Sequence, residues 1–334
     1  MKLLDASFES CGDLQELFQP LSPDLVALQL SRGPLQGRLR IFQTGSIRFN
    51  LLETKQSLFL SGTRRPKLCT VAIPLDKAEA SSAYRAQGIP VLWPALMGYN
   101  RHLTDFDLKL PAGARLATIV IDQDTLLNQL RGRGGGELSL ERWKSTNQLE
   151  LQPELQQTLR EQLRELVERG EQRCEPQEPN QLINTVIQCF EQPRSRTSFI
   201  AKREARHQAA IDLLHWRTKH TMKRVTMEEL SRALFHSRTS LAKGCQEHFG
   251  LTPTQLQRSI RLDRVRMKLI RGNDGIRAVA EEFGFQSRSH FAKRYQDQFG
   301  EPPQTTLQSA RFNSVLANRV QMGPQEIALE KRTS

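Results

Sequence analysis

The sequence predicts an α+β protein with two domains: an N-terminal β-sandwich or small barrel with added helices, and an all-α C-terminal domain. Three observations support this class. The chain has 334 residues, more than one domain usually holds. Short apolar runs divided by Gly and Pro fill residues 25–121, a pattern typical of an antiparallel sheet. One segment of the last third occurs twice with helical spacing, which indicates a duplicated helical unit.

Composition and charge narrow the function. With 38% hydrophobic and 25% charged residues, the chain is typical of a globular protein. Residues 201–334 hold 24 Lys and Arg against 13 Asp and Glu, whereas residues 1–200 hold 24 against 23. Charge concentrated in one domain indicates a polyanionic partner, which the charge alone leaves open between DNA, RNA and anionic lipid. No run of about 18 apolar residues and no secretory leader is present, so we expect a cytoplasmic protein without a membrane partner.

The sequence of the N-terminal part predicts strands followed by helices. The runs LRIFQ, SIRFNLLE, SLFLSG, KLCTVAIPL and LATIVI predict strands over about 25–121, and helices are expected over about 122–191. The segment RGRGGG at 131–136 is predicted to be a loop, because no GK[ST] follows to make it a phosphate-binding loop. Leu155, Leu159, Leu163 and Leu166 predict an amphipathic helix, which either packs on its own core or forms a dimer contact.

These patterns divide the chain into four parts. Residues 1–191 are predicted to form an effector-binding or dimerisation domain. Residues 192–200, which begin with QPRSRTS, are predicted to form a linker. Residues 201–310 are predicted to form the helical domain. A tail follows at 311–334, for which disorder is the expectation.

The repeat gives the helical domain its plan. SRTSLAKGCQEHFG at 237–250 matches SRSHFAKRYQDQFG at 287–300 in register, with an offset of 50 residues. Before the first copy, Thr226 and Glu229 predict a capping box; before the second, Asp274 predicts an N-cap. Ser237 and Ser287 are predicted to cap the second helix of each copy. Each copy is therefore a helix, a tight turn and a second helix, the helix-turn-helix plan.

A connecting helix is predicted between the copies. Thr252, Pro253 and Gln255 give a capping box with Pro in the first turn, and the helix continues to Gly272. If this helix holds the second helices about 34 Å apart, they can enter successive major-groove turns on one face of DNA.

On these residues the last third resembles the AraC/XylS family of bacterial transcription regulators. IRAVAEEFGFQSRSHFAKRYQDQFGEPP at 276–303 is similar to that family's second helix-turn-helix unit, and 226–253 to its first. The resemblance implies a cupin-like N-terminal domain, a small-molecule effector, double-stranded DNA and RNA polymerase as partners, and no cofactor. A homodimer is one alternative for the quaternary state. Within the family, GPLQGRL, SIRFNLLE and WPALMGY resemble the ethanolamine-utilisation regulators.

Helical spacing and this resemblance together select DNA-contacting side chains. Phe291, Tyr295 and Phe299 share one helix face, as do Leu241 and Phe249 in the first copy. The opposite faces supply the predicted base contacts Arg238, Thr239, Ala242, Lys243, Arg288, Ser289, Ala292 and Lys293. Arg258, Arg261, Arg264 and Arg294 are predicted phosphate contacts. Gly244 and Cys245 replace larger residues usual in the family, so a softer and less specific first unit is expected.

Other candidate sites are less marked. Arg40, Trp93, Tyr99 and Arg101 are predicted effector-pocket residues because aromatic and cationic groups suit small polar ligands. Six of the seven histidines lie in the last third without a metal-ligand spacing, so no metal is expected, and His290 is assigned to helix packing beside Phe291. The five cysteines form no CxxC pair, which predicts small buried side chains.

No enzyme is predicted, because no GxSxG, Walker, GxGxxG or paired-carboxylate motif stands out. Two alternatives remain open. One is an architectural or RNA-binding protein that uses charge alone. The other is a DNA-repair protein that transfers an alkyl group to Cys11 or Cys69.

Overall fold

The computed structural model describes residues 2–44, 47–75, 84–92, 94–100, 102–131, 144–169, 178–192, 197–199, 204–222, 225–272 and 274–321. The predicted α+β class is confirmed: an N-terminal sheet domain is followed by a helical domain. In this part of the chain, no helix combines the length and apolarity that crossing a membrane requires. Of the predicted loop at 131–136, Arg131 is instead the last residue of a helix, and 132–136 lie outside the described residues, as do the pocket candidates Trp93 and Arg101.

The N-terminal domain consists of two antiparallel sheets. The larger contains, in spatial order, β1 (Lys2–Phe8), β3 (Gly37–Thr44), β4 (Ile47–Thr54), β11 (Arg115–Asp122), β6 (Leu68–Pro74), β9 (Ala95–Met97), β12 (Thr146–Glu150) and β13 (Thr197–Phe199). The smaller contains β2 (Val26–Gln29), β5 (Leu58–Thr63), β10 (Asp105–Leu110), β7 (Arg85–Ala86) and β8 (Ile89–Pro90). Strands therefore lie outside the predicted range 25–121 at both ends. Part of the predicted linker is strand β13, which pairs with β12 at the sheet edge.

Among the described residues, four helices accompany these sheets: α1 (Cys11–Phe18), α2 (Gln123–Arg131), α3 (Pro153–Arg169) and α4 (Glu178–Glu191). The amphipathic stripe of α3 packs in its own domain, because Leu159, Leu163 and Leu166 are buried in one core with β-strand side chains and α4. The dimer alternative for this stripe is therefore wrong. The apolar face is already covered within the chain.

Side chains alternate between two cores along the strands, as the period of two requires. On β4, Phe49 packs into the core under α2, α3 and α4, whereas Leu52 faces the space between the two sheets. On β5, Leu58 and Leu60 also face that space, but Phe59 points outward. The smaller sheet is thus buried on both faces, and its outer face is covered by the helical domain.

The helical domain begins with α5 (Ala205–Lys219), followed by the first unit, α6 (Met227–Leu234) and α7 (Arg238–Phe249). The connecting helix is α8 (Pro253–Ile270). The second unit is α9 (Ile276–Glu282) and α10 (Arg288–Phe299), and α11 (Pro303–Gln321) closes the domain. Residues 311–321 are therefore helical rather than disordered. Residues 322–334 lie outside the described part of the chain.

The caps bear out the repeat, with one exception. Thr226 with Glu229 and Thr252 with Gln255 form complete capping boxes, and the side chain of Ser237 accepts a hydrogen bond from the Ser240 amide. The predicted cap at Asp274 is wrong. Gly275 precedes α9 without a side-chain cap, and the Asp274 carboxylate lies 3.4 Å from the Lys268 ammonium instead.

The two domains share a core. Val26 and Leu28 of β2 and Phe59 of β5 pack against α5, α7 and α8, and the Phe59 and Phe249 rings meet edge to face at 4.9 Å. The buried Asp263 of α8 accepts hydrogen bonds from the amides of Cys11 and Gly12, at 2.8 and 3.1 Å, and so caps α1 from the other domain. The Gly33 amide also donates to the Gln298 carbonyl in α10 at 3.0 Å. The helical domain is therefore held by the sheet domain at several points.

Candidate nucleic-acid interface

Both second helices of the repeat present a polar outer face and an apolar inner face. On α7, Leu241, Cys245 and Phe249 are buried, and on α10, Phe291, Tyr295 and Phe299 are buried. The predicted base-contact residues lie opposite. Seven of them are exposed and Ala292 is half-buried: Arg238, Thr239, Ala242, Lys243, Arg288, Ser289, Ala292 and Lys293. The repeat thus gives two matched surfaces carrying guanidinium, ammonium, hydroxyl and methyl groups, which are the groups that read base edges.

Gly244 has a packing role that the sequence does not reveal. A Cβ atom at Gly244 would lie 2.1 Å from the carbonyl oxygen of Arg206 on α5. The glycine therefore lets α7 approach the backbone of α5 closely, and Cys245 fills the same core without forcing the helices apart. The expectation of a softer first unit loses its physical basis here, because the absent side chain permits closer packing of the helix.

The turns of the two units differ. In the second unit Gly284 adopts the left-handed conformation with φ 76°. In the first unit the left-handed residue is Phe235, with φ 56° and an exposed ring. Phe235 aligns with Phe285, which instead packs on the Arg261 guanidinium at 4.8 Å. The copies therefore share helices but not the backbone of the turn.

A groove with a cavity volume of about 350 Å³ lies where α8 begins and the second unit turns into α10. It is lined by three of the predicted phosphate contacts, Arg258, Arg261 and Arg294. Burial and the neighbouring Arg294 lower the pKa of Arg258. Like charges in a partly desolvated groove favour an anion, and the first-turn residue Thr254 adds a hydroxyl donor.

The structure changes the roles predicted from the sequence for two residues, His290 and Arg264. His290 is exposed and lines the groove instead of packing in the helical core. Arg264 lies elsewhere: it lines a small space between α1, β2 and α8, together with Cys11 and Asp263. On α8 it belongs to the face that meets the N-terminal domain, whereas Arg258 and Arg261 belong to the face beside α10.

The N-terminal domain contains a cavity of about 140 Å³ between its two sheets. Two of the predicted pocket residues lie elsewhere. Tyr99 is buried in the other core, with its hydroxyl 2.6 Å from Thr146 Oγ1 and its ring against Phe190. Arg40 pairs with Glu53 at 2.8 Å and is not among the lining residues. The cavity is lined instead by alternate residues of β4, β6 and β11, among them Arg48, Asn50 and Leu52 on β4.

A chain of contacts joins this cavity to the first unit. Asp107 of β10 lines the cavity, is 2% exposed, and its carboxylate lies 3.2 Å from His207 Nε2 on α5. The His207 ring stacks on His248 of α7 with centroids 4.4 Å apart. Gly88 leaves room for His207, since a Cβ there would lie 2.6 Å from its Nδ1. One carboxylate thus contacts both the cavity and the packing of α7.

This histidine pair predicts a pH-dependent stability. Burial and the neighbouring His207 lower the pKa of His248, while Glu247 and Asp107 raise it by less. Because its pKa is lower in the folded than in the unfolded state, we expect stability to fall as pH drops below about 6.5, the ordinary pKa of histidine. The measurement is Tm between pH 7.5 and 5.5. His248→Gln should flatten that dependence, and His290→Gln, at an exposed site, should leave it unchanged; equal slopes in all three proteins would contradict the assignment.

The four thiols in the described part of the chain do not present a reactive site. Cys11, Cys69, Cys189 and Cys245 are buried, as the sequence predicts, and Cys174 lies outside the described residues. Burial, and then the charge of Asp263, raise the pKa of Cys11 well above its usual range. The alkyl-transfer alternative needs an accessible thiolate, and neither Cys11 nor Cys69 provides one. Among the described residues, no group of three or more His, Cys, Asp and Glu side chains is placed to hold a metal ion.

Comparison with known proteins finds a domain match that includes both helix-turn-helix units. Residues 230–309 match the model of a helix-turn-helix domain. The chain is 29% identical over 106 residues to the probable thc operon regulatory protein of Rhodococcus erythropolis, covering 31% of each protein. It is 33% identical over 86 residues to the XylDLEGF operon transcriptional activator 2 of Pseudomonas putida, covering 25% of this chain and 55% of the relative. The chain thus spans less than a third of the first of these relatives and about half of the second.

Among solved structures, the chain is similar to a probable AraC family transcriptional regulator from Rhodopseudomonas palustris CGA009. The identity is 30%, the match covers 30% of this chain and 96% of that one, and the TM-score is 0.29. ToxT from Vibrio cholerae matches over 85% of this chain at 14% identity, with a TM-score of 0.29.

Proposed function

Because this chain belongs to the AraC/XylS family through the helix-turn-helix domain at residues 230–309, we propose that it regulates transcription by binding one DNA sequence with both units. The observation that carries the proposal is the pair of matched exposed faces on α7 and α10, each backed by a buried aromatic or aliphatic face. The relatives in Pseudomonas putida are operon transcriptional activators, and we assign the same sense of regulation here.

In this proposal the two surfaces have different roles. Arg238 and Arg288 read bases, because each begins its helix at a Ser N-cap and points away from the core. Arg258, Arg261 and Arg294 hold a phosphate of the intervening backbone in the groove beside α10. RNA polymerase is the partner that activation requires. The protein acts in the cytoplasm, where DNA and RNA polymerase are found.

The N-terminal domain is proposed as the effector-binding part, with its cavity as the site. A ligand there would contact Asp107, and the His207–His248 stack passes any shift of Asp107 to α7. The shared core of Phe59 and Phe249 makes the sheet and the first unit move together. Effector binding can therefore change the position of α7 relative to DNA.

The test of DNA binding is a gel-shift competition with sites selected from the genome of origin. A sequence-specific regulator should prefer its site over bulk DNA by about a thousandfold or more at physiological salt. An architectural or RNA-binding protein that uses charge alone would show no such preference, and that result would refute the proposal.

Substitutions in the base-reading face give the second test. We expect Arg238→Ala and Arg288→Ala each to weaken specific binding by about 1–3 kcal/mol, with little change in binding to bulk DNA. Similar losses are expected because each arginine is the first residue of a helix whose opposite face is buried. Arg115→Ala, an exposed guanidinium of the sheet domain, is the control. If only one of the two substitutions weakened specific binding, the proposal that both units read bases would be wrong.

A further inference from the structure

We propose that the exposed ring of Phe235, in the turn of the first helix-turn-helix unit, contacts a thymine methyl group beside the base that Arg238 reads. This inference rests on the proposed DNA-binding function and adds an apolar contact to the polar ones assigned to α7. It is carried by three features of the turn: the exposure of the ring, the backbone conformation that holds it, and the direction set by His236.

The backbone at Phe235 is strained. Its φ of 56° is left-handed, and its side chain is 94% exposed. A single exposed apolar side chain is ordinary on a protein surface, but a left-handed backbone at a bulky residue is uncommon, because the Cβ atom crowds the neighbouring carbonyl oxygen. Glycine adopts this conformation without strain. The fold alone therefore gives no reason for a phenylalanine here, and strain of this kind clusters at functional sites.

The second unit shows how the same residue type serves the fold. Phe285, 50 residues later, packs on the Arg261 guanidinium, and its ring centroid lies 5.2 Å from that of Phe291. The left-handed residue of that turn is Gly284, which has no side chain to crowd. In the first unit the left-handed position falls on Phe235 itself. The difference between the turns thus leaves an aromatic ring outside the core in one unit only.

Contacts around the turn leave the ring on the outer side of the first unit. His236, the next residue, points inward, because its Nε2 atom lies 2.7 Å from the Asp212 carboxylate on α5. The buried face of α7 packs on that same helix. Phe235 is exposed instead, and it precedes Arg238 by three residues, a span of at most about 11 Å. The ring and the Arg238 guanidinium can therefore reach neighbouring base pairs.

The surroundings of the ring favour DNA as its partner. Arg238, Thr239 and Lys243 are exposed on the same side of α7. The thymine methyl is the apolar group that the major groove presents, and phenylalanine is among the side chains that contact it. An apolar ring among cations and hydroxyls suits that groove. It does not suit the centre of a protein interface, where charged residues are depleted.

The experiment measures binding of the full chain to the operator found by gel-shift competition, with each thymine replaced in turn by deoxyuridine, which lacks only the methyl group. In the unmodified protein we expect one replacement to weaken binding about fourfold, the value of one buried methyl group. In Phe235→Gly the same replacement should have no effect, and the natural operator should bind at least about fourfold more weakly.

Stability separates a contact with DNA from a structural role. Phe235→Gly should raise Tm by about 2 °C, because it removes the strain without uncovering buried surface. Phe235→Ala keeps the Cβ atom, so it should bind DNA as weakly as Phe235→Gly without that gain in Tm. Phe312→Ala, which removes an exposed phenylalanine on α11, is the matched control and should bind like the unmodified protein.

Unchanged operator binding in Phe235→Gly, or the same loss with deoxyuridine in both proteins, would overturn the thymine contact while leaving specific DNA binding intact. A fall in Tm together with weaker binding would show that the ring holds the turn in place, and would overturn the contact as well. If the unmodified protein preferred no site over bulk DNA, the proposed function would fail and this inference with it.

Discussion

Gly244→Ala is expected to lower the free energy of unfolding by about 1–3 kcal/mol, the usual cost of overpacking a filled site. Helix propensity alone predicts the opposite sign, since replacing glycine by alanine within a helix gains about 1 kcal/mol. The clash decides between them: the new Cβ would lie 2.1 Å from the Arg206 carbonyl oxygen and 2.9 Å from its carbon. These are backbone atoms of α5, so relief requires the two helices to separate.

Chemical denaturation of the full chain measures this effect, and Gly12→Ala is the matched comparison. Gly12 is also helical, but a Cβ there would meet the Met267 thioether, the flexible end of a side chain. We expect that change to cost less than Gly244→Ala, because a methionine can take another rotamer. A stabilised Gly244→Ala protein would show that α7 does not pack closely on α5. Its operator affinity should fall together with its stability, because α7 carries Arg238 and Lys243.

Asp263→Ala is expected to destabilise the protein by about 2–4 kcal/mol. Its carboxylate accepts hydrogen bonds from the amides of Cys11 and Gly12, which become buried and unpaired when it is removed. Each such group costs about 1–3 kcal/mol. The loss should be local as well as global: α1 should loosen from α8, although the Arg266 guanidinium still donates to the Glu9 carbonyl at 2.8 Å.

Hydrogen exchange at 11–18 separates this local effect from global unfolding. Asp263→Asn, which keeps one acceptor, should lose about half as much stability as Asp263→Ala. Asp274→Ala serves as the control because its carboxylate is half exposed beside Lys268. If exchange in α1 is as slow in Asp263→Ala as in the unmodified protein, the cap across the domain boundary is not what holds α1.

The two changes bear on regulation as well as on stability. Gly244 lies where the first unit packs on α5, and Asp263 lies where α8 meets the N-terminal domain. An effector that moves the sheet domain acts on both. Substitutions there should therefore alter how DNA binding responds to a ligand, even where no residue touches DNA or the cavity.

Local rules were sufficient for the helical domain. The capping boxes at Thr226 and Thr252, the caps at Ser237 and Ser287 and the stops at Gly250 and Gly300 depend on residues within one helical turn of each other. The inner and outer faces of α7 and α10 follow from the helical period, and the repeat fixes their register. This is why the exposed faces of α7 and α10 were predictable from the sequence.

Tertiary contacts decided what local rules could not. Helix propensity suggested that Gly244 weakens α7, but the nearby backbone of α5, 38 residues earlier in the chain, makes the glycine necessary. Which face of α8 the N-terminal domain covers depends on where α1 docks. The sequence therefore suggested a phosphate contact for Arg264, whereas the structure places it beside Cys11. The effector candidates were chosen by residue type, whereas the cavity is lined by side chains from strands that pair only in the folded sheets, Arg48 among them.

The physical reason is the distance over which each interaction acts. Caps, helical faces and a duplicated unit are set within about 50 residues of sequence, and the sequence alone determined the two-unit DNA-binding design. The contacts of Asp263 with Cys11 and of His207 with Asp107 join residues 252 and 100 positions apart. Side-chain type says nothing about such pairs until the sheets close and the domains dock, so the structure alone located the cavity and its link to α7.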